Sequence, residues 1–226
     1  MTDIQKSEPV QQYTAPTTDE NLLFIAIKYK KTLITAAVLI LALAAGTFFW
    51  LRYQDSRELD AAVLLSKSAP LIDRGDFRTA IEGDGKLPGL KNIADTYSGT
   101  PSGKMANLLL ANAYYSMGDF DSALRTFKSV SIGNSDLAAA ALAGAGDCYI
   151  NKNQPAQATE NYEDASKKAE NTVLKAQYLV KAAESCQITS QLKKAAELYN
   201  KIIADYPGTT AAAIAQRSLW QISGKL

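Results

Sequence analysis

The sequence predicts an all-α protein, in which an N-terminal single transmembrane helix is followed by a solenoid of helical hairpins. An uncharged, apolar run at residues 32–51 predicts the transmembrane helix. The remaining chain, residues 54–226, is rich in Ala, Leu, Lys and Glu and lacks the β-branched runs that are typical of strands. It also repeats itself with a period of about 35 residues, as stacked repeats do. We therefore expect three to four hairpins and a terminal helix.

Residues 1–21 predict a disordered tail. Gln, Thr, Pro and acidic residues dominate this segment, and large apolar residues are few. Such a composition buries too little apolar surface to offset the entropy that ordering costs. We expect this tail to lie in the cytoplasm, before the anchor.

The predicted membrane anchor covers residues 22–53. At about 1.5 Å per residue, a helix over 32–51 would cross roughly 30 Å of hydrocarbon. Tyr29 lies near one end of this run and Trp50 at the other, where aromatic rings favour the headgroup level. A cleaved secretory signal is the alternative, but no small-x-small cleavage motif follows the run. The pattern favours a retained anchor.

Basic residues on the two sides of the anchor indicate its orientation. Lys28, Lys30 and Lys31 lie on the N-terminal side, whereas Arg52 and Arg57 follow the apolar run. The flank that carries more positive charge tends to stay in the cytoplasm. The bias of three to two favours a cytoplasmic N-terminus and an exported C-terminal domain.

The overall composition excludes several classes of function. Lys plus Arg is 24 and Asp plus Glu is 23, so no strong positive field attracts nucleic acid. The chain has no histidine, which removes the usual general base near neutral pH and every histidine-containing zinc site. We predict no catalytic residue, no cofactor and no metal.

The two cysteines, Cys148 and Cys186, are too far apart in sequence to form a Cys-x-x-Cys pair. They fall at adjacent offsets of neighbouring repeats, which leaves open a disulfide across the stack in an oxidising compartment. Unpaired cysteine, however, is common as a small buried hydrophobic residue. We expect two free, buried thiols.

Three segments within residues 104–207 share one pattern of small and aromatic residues. A small residue is followed by an aromatic residue after three positions, by a small residue nine positions later and by an aromatic residue four further on. The pattern resembles tetratricopeptide repeats, in which small residues let two helices approach and aromatic rings fill the space between hairpins. The third segment has cysteine at the first aromatic position. The matching residues are Ala111, Tyr114, Ala123 and Phe127; Gly146, Tyr149, Ala158 and Tyr162; and Ala183, Cys186, Ala195 and Tyr199.

Residues 57–98 predict a fourth, irregular hairpin. Gly75-Asp76-Phe77 repeats the motif Gly118-Asp119-Phe120 of the first regular repeat. Three glycines and a proline at 83–89 predict a loop that interrupts the second half of this hairpin. No Gly-Lys-Ser/Thr follows this loop, so the pattern does not indicate a phosphate-binding loop.

Two further segments, residues 95–100 and 205–209, match each other closely at the ends of two hairpins. The second of them precedes a final helix, which we predict at about residues 210–222. That helix would cover the open end of the stack.

The layout of the whole chain resembles the ancillary SecYEG translocon subunit family. The shared features are a short acidic tail, one span that ends in Trp50-Leu51-Arg52-Tyr53, and tetratricopeptide hairpins after it. The resemblance implies an inner-membrane protein whose periplasmic repeats work beside the Sec translocon and a membrane-bound periplasmic chaperone. It also implies that the exported domain binds protein or peptide segments.

In such a stack the first helices of the hairpins line a concave groove, which is the predicted partner-binding surface. Lys and Asn at set positions of these helices grip a C-terminal carboxylate in some tetratricopeptide domains. Here Asn112 fits, but Leu108 replaces the lysine, so we do not expect such a clamp. Leu108 and Tyr115 fit packing between hairpins equally well. The predicted groove residues are Met105, Leu108, Asn112, Tyr115, Ala143, Asp147, Ile150, Val180, Glu184 and Gln187.

These features predict a membrane-anchored interaction scaffold with a role in translocation or chaperoning. A cell-division or outer-membrane assembly coordinator with exported repeats is the alternative. An enzyme that uses Asp147 and Glu184 as an acid/base pair is a third hypothesis, but two carboxylates on neighbouring helices more often form a solvated face. The sequence leaves open whether the groove accepts extended or helical segments.

Overall fold

The structure, a computed structural model, describes residues 27–224. The predicted tail at 1–21 and the first residues of the predicted anchor, 22–26, lie outside the described residues. No strand occurs within 27–224, which confirms the all-α fold class. The helices are α1 (Lys30–Asp73), α2 (Phe77–Glu82), α3 (Leu90–Thr96), α4 (Pro101–Ser116), α5 (Phe120–Ser129), α6 (Ser135–Asn151), α7 (Pro155–Lys168), α8 (Thr172–Ile188), α9 (Leu192–Asp205) and α10 (Thr210–Ser223).

The described residues divide into two units, 27–53 and 54–224, and α1 contributes to both. In the first unit, every described residue from 27 to 53 is exposed. Helix α1 is long and apolar enough to cross a membrane, since its most apolar window has a mean hydropathy of 2.2. A signal sequence near the N-terminus can meet the same criteria of length and hydropathy, so these alone do not establish a membrane span.

In the second unit, the first helix of each hairpin ends in the same turn. After α4, the N–H of Gly118 donates to the carbonyl of Tyr115 (2.9 Å), and the N–H of Asp119 donates to that of Tyr114 (3.0 Å). This pair of bonds is a Schellman motif, which needs a residue with positive φ. The same pair of bonds recurs after α1, α6 and α8. In these four turns, the residue with positive φ is Gly75 (76°), Gly118 (79°), Asn153 (56°) or Ser190 (58°).

The four turns divide the second unit into four hairpins, as the sequence predicted. The C-terminal part of α1, α4, α6 and α8 are the first helices of these hairpins. The second helix is α5, α7 or α9 in the regular hairpins, and it is broken into α2 and α3 in the irregular one. Leu64, Leu65 and Ile72 of α1 pack against a cluster that contains Ile81 of α2 and Ile93 of α3, and α4 completes this cluster with Ala106, Leu110 and Ala113. The irregular hairpin therefore shares its core with the first regular one.

The predicted loop at 83–89 separates α2 from α3. The Asp84 carboxylate accepts hydrogen bonds from the N–H groups of Lys86 (2.9 Å) and Leu87 (2.8 Å). These two bonds lower the pKa of Asp84. The backbone N–H groups that a phosphate would need are therefore already bonded to a carboxylate of the same loop.

The matching segments before α4 and α10 have the same geometry. The hydroxyl of Thr100 donates to the Tyr97 carbonyl (2.9 Å), and that of Thr209 donates to the Tyr206 carbonyl (2.8 Å). Both threonines also cap the following helix, each accepting from the backbone N–H three residues later at 3.1 Å. Helix α10 therefore enters the stack as the first helix of a hairpin does, and it packs on both α8 and α9.

Small residues and aromatic rings set the distances between helices, as the repeat pattern predicted. A Cβ atom added at Gly146 would lie 2.6 Å from the ring of Tyr162 on α7, and one at Gly144 would lie 2.4 Å from the ring of Phe127 on α5. Both contacts are far shorter than van der Waals distance. Helix α6 therefore approaches α7 of its own hairpin and α5 of the preceding one without room for a methyl group.

Both cysteines are free thiols, and the predicted burial of both is confirmed. Cys148 packs with Ala111, Phe127 and Ala145, whereas Cys186 packs in a separate cluster around Tyr199. Burial raises the pKa of the Cys148 thiol to about 11. Both cysteines serve as small core residues.

We expect Gly146→Ala to lower the free energy of unfolding by about 2 kcal/mol, because the added methyl group overlaps the Tyr162 ring. The loss should appear although alanine favours a helix over glycine by about 1 kcal/mol. Chemical denaturation of the full-length chain, followed by circular dichroism, measures it. Gly133→Ala is the control, since no heavy atom lies within 4 Å of its added Cβ. A neutral or stabilising Gly146→Ala would show that this contact does not set the helix spacing.

Candidate partner-binding groove

The first helices of successive hairpins lie side by side. Helix α4 contacts α6, α6 contacts α8, and α8 contacts α10. Residues at equivalent positions of these helices therefore form rows across one surface, which we call the groove. The groove has four rows, which begin on α4 at Met105, Leu108, Asn112 and Tyr115. Each row continues at the equivalent positions of the following first helices.

The row that begins at Leu108 is buried. Leu108, Ala143 and Val180 are 5%, 5% and 6% exposed, and each belongs to a hydrophobic cluster between hairpins. These three predicted groove residues form the floor and hold the hairpins together. Leu108 also occupies the position of the clamp lysine, so the floor there is apolar.

The other predicted groove residues reach the surface to different degrees. Asn112 and Glu184 are exposed, and Asp147 is half-buried. Met105, Tyr115, Ile150 and Gln187 are also half-buried. The accessible part of the groove is therefore polar along the row of Asn112 and mixed along the row of Tyr115.

A polar network crosses the groove between α6 and α8. The ammonium group of Lys181 lies 2.7 Å and 3.0 Å from the two carboxylate oxygens of Asp147. The hydroxyl of Tyr162, on α7, donates to the same carboxylate at 2.6 Å. Burial and this bond to Asp147 raise the pKa of Tyr162, so the phenol stays protonated as a donor. Asp147 thereby joins three helices.

Tyr115 and Gln187 each make contacts within the stack as well. The hydroxyl of Tyr115 accepts a hydrogen bond from the Asn151 side chain (3.0 Å), which joins α4 to α6. Its ring packs edge-on against Phe120, with centroids 5.4 Å apart. The Gln187 amide donates to the hydroxyl of buried Tyr199 on α9. Both side chains are thus held in place at the groove surface.

Two pockets open along α8, and both are lined by Lys181. The first, of about 180 Å³, lies between α6 and α8, and we call it the acidic pocket. The second, of about 230 Å³, lies between α8 and α10, and we call it the apolar pocket. The acidic pocket is lined by Asp147, Ile150, Tyr162, Lys181, Glu184, Ser185 and Ile188. The apolar pocket is lined by Gln177, Val180, Lys181, Thr210, Ala211 and Ile214.

A larger pocket, of about 390 Å³, lies away from these residues. It is formed around the N-terminal part of α4 and the C-terminal end of α5, with Asp95, Lys104 and Asn107 in its lining. Small and polar side chains line it, and none of the predicted groove residues does. This pocket is therefore large, but it offers no apolar site that could hold a side chain of a protein segment.

Sequence reasoning missed Lys181, Tyr162 and Ile214 as groove residues. Ile214 could have been found, because the match of Thr100 with Thr209 places it at the offset of Met105. Tyr162 was assigned to packing alone, yet its hydroxyl reaches the groove. Lys181 lies one position after the predicted Val180. The equivalent positions of α4 and α6 carry no charged residue, so the repeat pattern does not single it out.

Asp147 and Glu184, the two carboxylates of the acid/base hypothesis, line the same pocket, but only Asp147 has bonded partners there. Asp147 is bonded to Lys181 and Tyr162, while Glu184 lies on a different helix and is exposed. Partial desolvation raises the pKa of Glu184. Within 27–224, no group of three His, Cys, Asp or Glu side chains is placed to hold a metal ion.

More than half of the chain matches a known protein family. The profile of the tetratricopeptide repeat-like domain family matches residues 27–145. No curated protein matches the chain at a significant level. The matched residues contain the irregular hairpin, the first regular hairpin and most of α6.

We expect Tyr162→Phe to lower the free energy of unfolding by about 1–2 kcal/mol, because it removes a hydrogen bond to a carboxylate that is half-buried. Chemical denaturation of the full-length chain measures the change. Tyr149→Phe is the matched control, since its hydroxyl bonds only the exposed Lys128, and we expect a loss below about 0.5 kcal/mol. Equal losses in the two variants would contradict a structural role for the Tyr162 hydroxyl.

Proposed function

Since the chain belongs to the tetratricopeptide repeat-like domain family, we propose that it is a membrane-anchored scaffold whose groove binds segments of partner proteins. Domains of this kind are typically non-catalytic scaffolds for protein–protein interaction. Stacked hairpins give such domains a long continuous surface for binding extended partners.

The observation that carries the proposal is the groove itself. Its surface combines exposed polar groups, such as Asn112 and Glu184, with two pockets that each have room for about one side chain. Protein-binding sites typically pair a few anchor pockets with a polar surrounding surface. The floor at Leu108 and Val180 is packed into the core, so the groove is preformed.

We further propose that residues 22–53 anchor the chain in the cytoplasmic membrane, with 1–21 in the cytoplasm and 54–226 exported. The long apolar helix α1 and the excess of lysine before it support this orientation. The exported repeats would then face the periplasm of a bacterial cell.

The resemblance to the ancillary SecYEG translocon subunit family suggests where the scaffold acts. We propose that it holds partner chains beside the Sec translocon and a periplasmic chaperone. An envelope-assembly coordinator would share the anchor and the groove. Co-purification in mild detergent separates the two, because it returns either Sec subunits or envelope machinery.

We expect a photoreactive benzoylphenylalanine at Asn112 to crosslink partner chains in intact membranes, because this exposed position lies in the groove. The same residue at Lys193, which is exposed on the second helix α9, is the control and should give few crosslinks. Mass spectrometry identifies the captured chains. Equal crosslinking from both positions, or none from Asn112, would contradict binding in the groove.

The proposed orientation predicts that protease added to intact spheroplasts digests the chain after residue 53. A tag at the C-terminus would be lost before the membrane is broken, whereas a cytoplasmic marker protein would survive as the control. Immunoblotting for the tag measures the result. Protection of the tag in intact spheroplasts would overturn both the orientation and a periplasmic function.

A further inference from the structure

We infer that the acidic pocket and the apolar pocket together bind an extended segment that carries a basic side chain four residues away from a large apolar one. The inference rests on the proposed function, because it specifies which segments the groove accepts. It follows from the charges, the shape and the spacing of the two pockets.

The acidic pocket contains two carboxylates, Asp147 and Glu184, but only one cationic side chain, Lys181. Asp147 is paired with Lys181 at 2.7 Å and accepts a hydrogen bond from Tyr162. Glu184 has no ion-pair partner among the described residues, although Lys181 lies on the same helix. Partial desolvation raises the pKa of Glu184, and the more distant charge of Lys181 opposes this effect only in part. A cation from a partner would supply the missing interaction.

The shape of the acidic pocket suits a long basic side chain. Ile188 is 59% exposed, and Ile150 is half-buried beside it. The aliphatic stem of lysine or arginine can cover such side chains while its charged end reaches a carboxylate. The pocket volume of about 180 Å³ has room for one such side chain.

The apolar pocket has a different chemistry. Val180, Ala211 and Ile214 line it, and Lys181 is its only charged side chain. The ammonium group of Lys181 is held by Asp147, so its aliphatic stem forms the wall between the two pockets. This pocket fits a side chain such as leucine.

The spacing of the pockets fits an extended chain. On α8, residues 177–181 line the apolar pocket and residues 181–188 line the acidic pocket. The midpoints of these ranges are about five residues apart, which is about 8 Å along a helix. The two pockets also lie on opposite sides of α8, which adds roughly 9 Å across the helix and makes their separation about 12 Å. Side chains four residues apart in an extended chain point to the same face and lie about 13 Å apart. One strand-like segment can therefore fill both pockets.

Peptide binding to the full-length chain in detergent tests the inference. The probe is the nine-residue peptide Leu-Ser-Ser-Ser-Lys-Ser-Ser-Ser-Leu, capped at both ends, so that either chain direction presents the pair. The comparison peptides carry acetyllysine for lysine, glutamate for lysine, or serine for both leucines. Isothermal titration calorimetry at low salt measures the dissociation constants.

We expect the lysine peptide to bind about tenfold more tightly than the acetyllysine peptide, which is the scale of one charge-assisted hydrogen bond. Replacing both leucines should also weaken binding. Glu184→Gln should abolish the preference for lysine, and Glu184→Lys should reverse it in favour of glutamate. The matched control, Glu197→Gln, alters an exposed carboxylate on the second helix α9 and should keep the preference.

Equal affinity for the lysine and acetyllysine peptides, or an unchanged preference in Glu184→Gln, would overturn the inference. Such a result leaves the proposed function standing if the photoreactive residue at Asn112 still captures partner chains. Absence of those crosslinks would contradict the proposed function itself, so the two failures are distinguishable.

Discussion

The close approach of α6 to its neighbours is the constraint on which the stack depends. The ring of Phe127 lies over Gly144 and the ring of Tyr162 over Gly146, with no room for a Cβ atom at either glycine. A packed interior transmits a shift of one helix to the next, because it contains few voids. The two contacts therefore fix α6 against the hairpin before it and against its own second helix. The groove, which is made mainly from first helices, inherits its geometry from these contacts.

The same constraint explains why the turns between paired helices are so uniform. Two helices that must meet at a fixed distance need a connection of fixed geometry, and the Schellman turn with one left-handed residue supplies it. Gly75 and Gly118 adopt this conformation at little steric cost. Asn153 and Ser190 adopt it as well, at a cost that the surrounding packing offsets. Tertiary packing thus maintains the turn where the local sequence does not favour it.

Much of the fold could be predicted because its signals are periodic. The repeated spacing of small and aromatic residues located the three regular hairpins, and Gly75-Asp76 located the irregular one. The matching threonine segments located α10. Each of these signals occurs more than once in the chain, so it can be recognised by comparing the chain with itself.

The candidate site was less predictable, because its contacts depend on single residues that do not recur. Three predicted groove residues, Leu108, Ala143 and Val180, lie in the buried floor. The position of a residue within the repeat predicts which face of the helix it lies on. It does not predict how much of that face the next helix buries. The ion pair between Asp147 and Lys181 joins two different offsets on two helices. Because this pair occurs at one place only, comparing the repeats of a single sequence does not identify it.

The two roles of Lys181 connect the stability of the stack with its specificity. A pair as exposed as Lys181 and Asp147 contributes about 1 kcal/mol or less by itself. It also neutralises Asp147, so that Glu184 is the carboxylate of the acidic pocket without an ion pair among the described residues. The stem of Lys181 separates the two pockets along α8, which differ in chemistry. A lysine that adds little to stability therefore sets both the charge of the acidic pocket and the boundary between the two pockets.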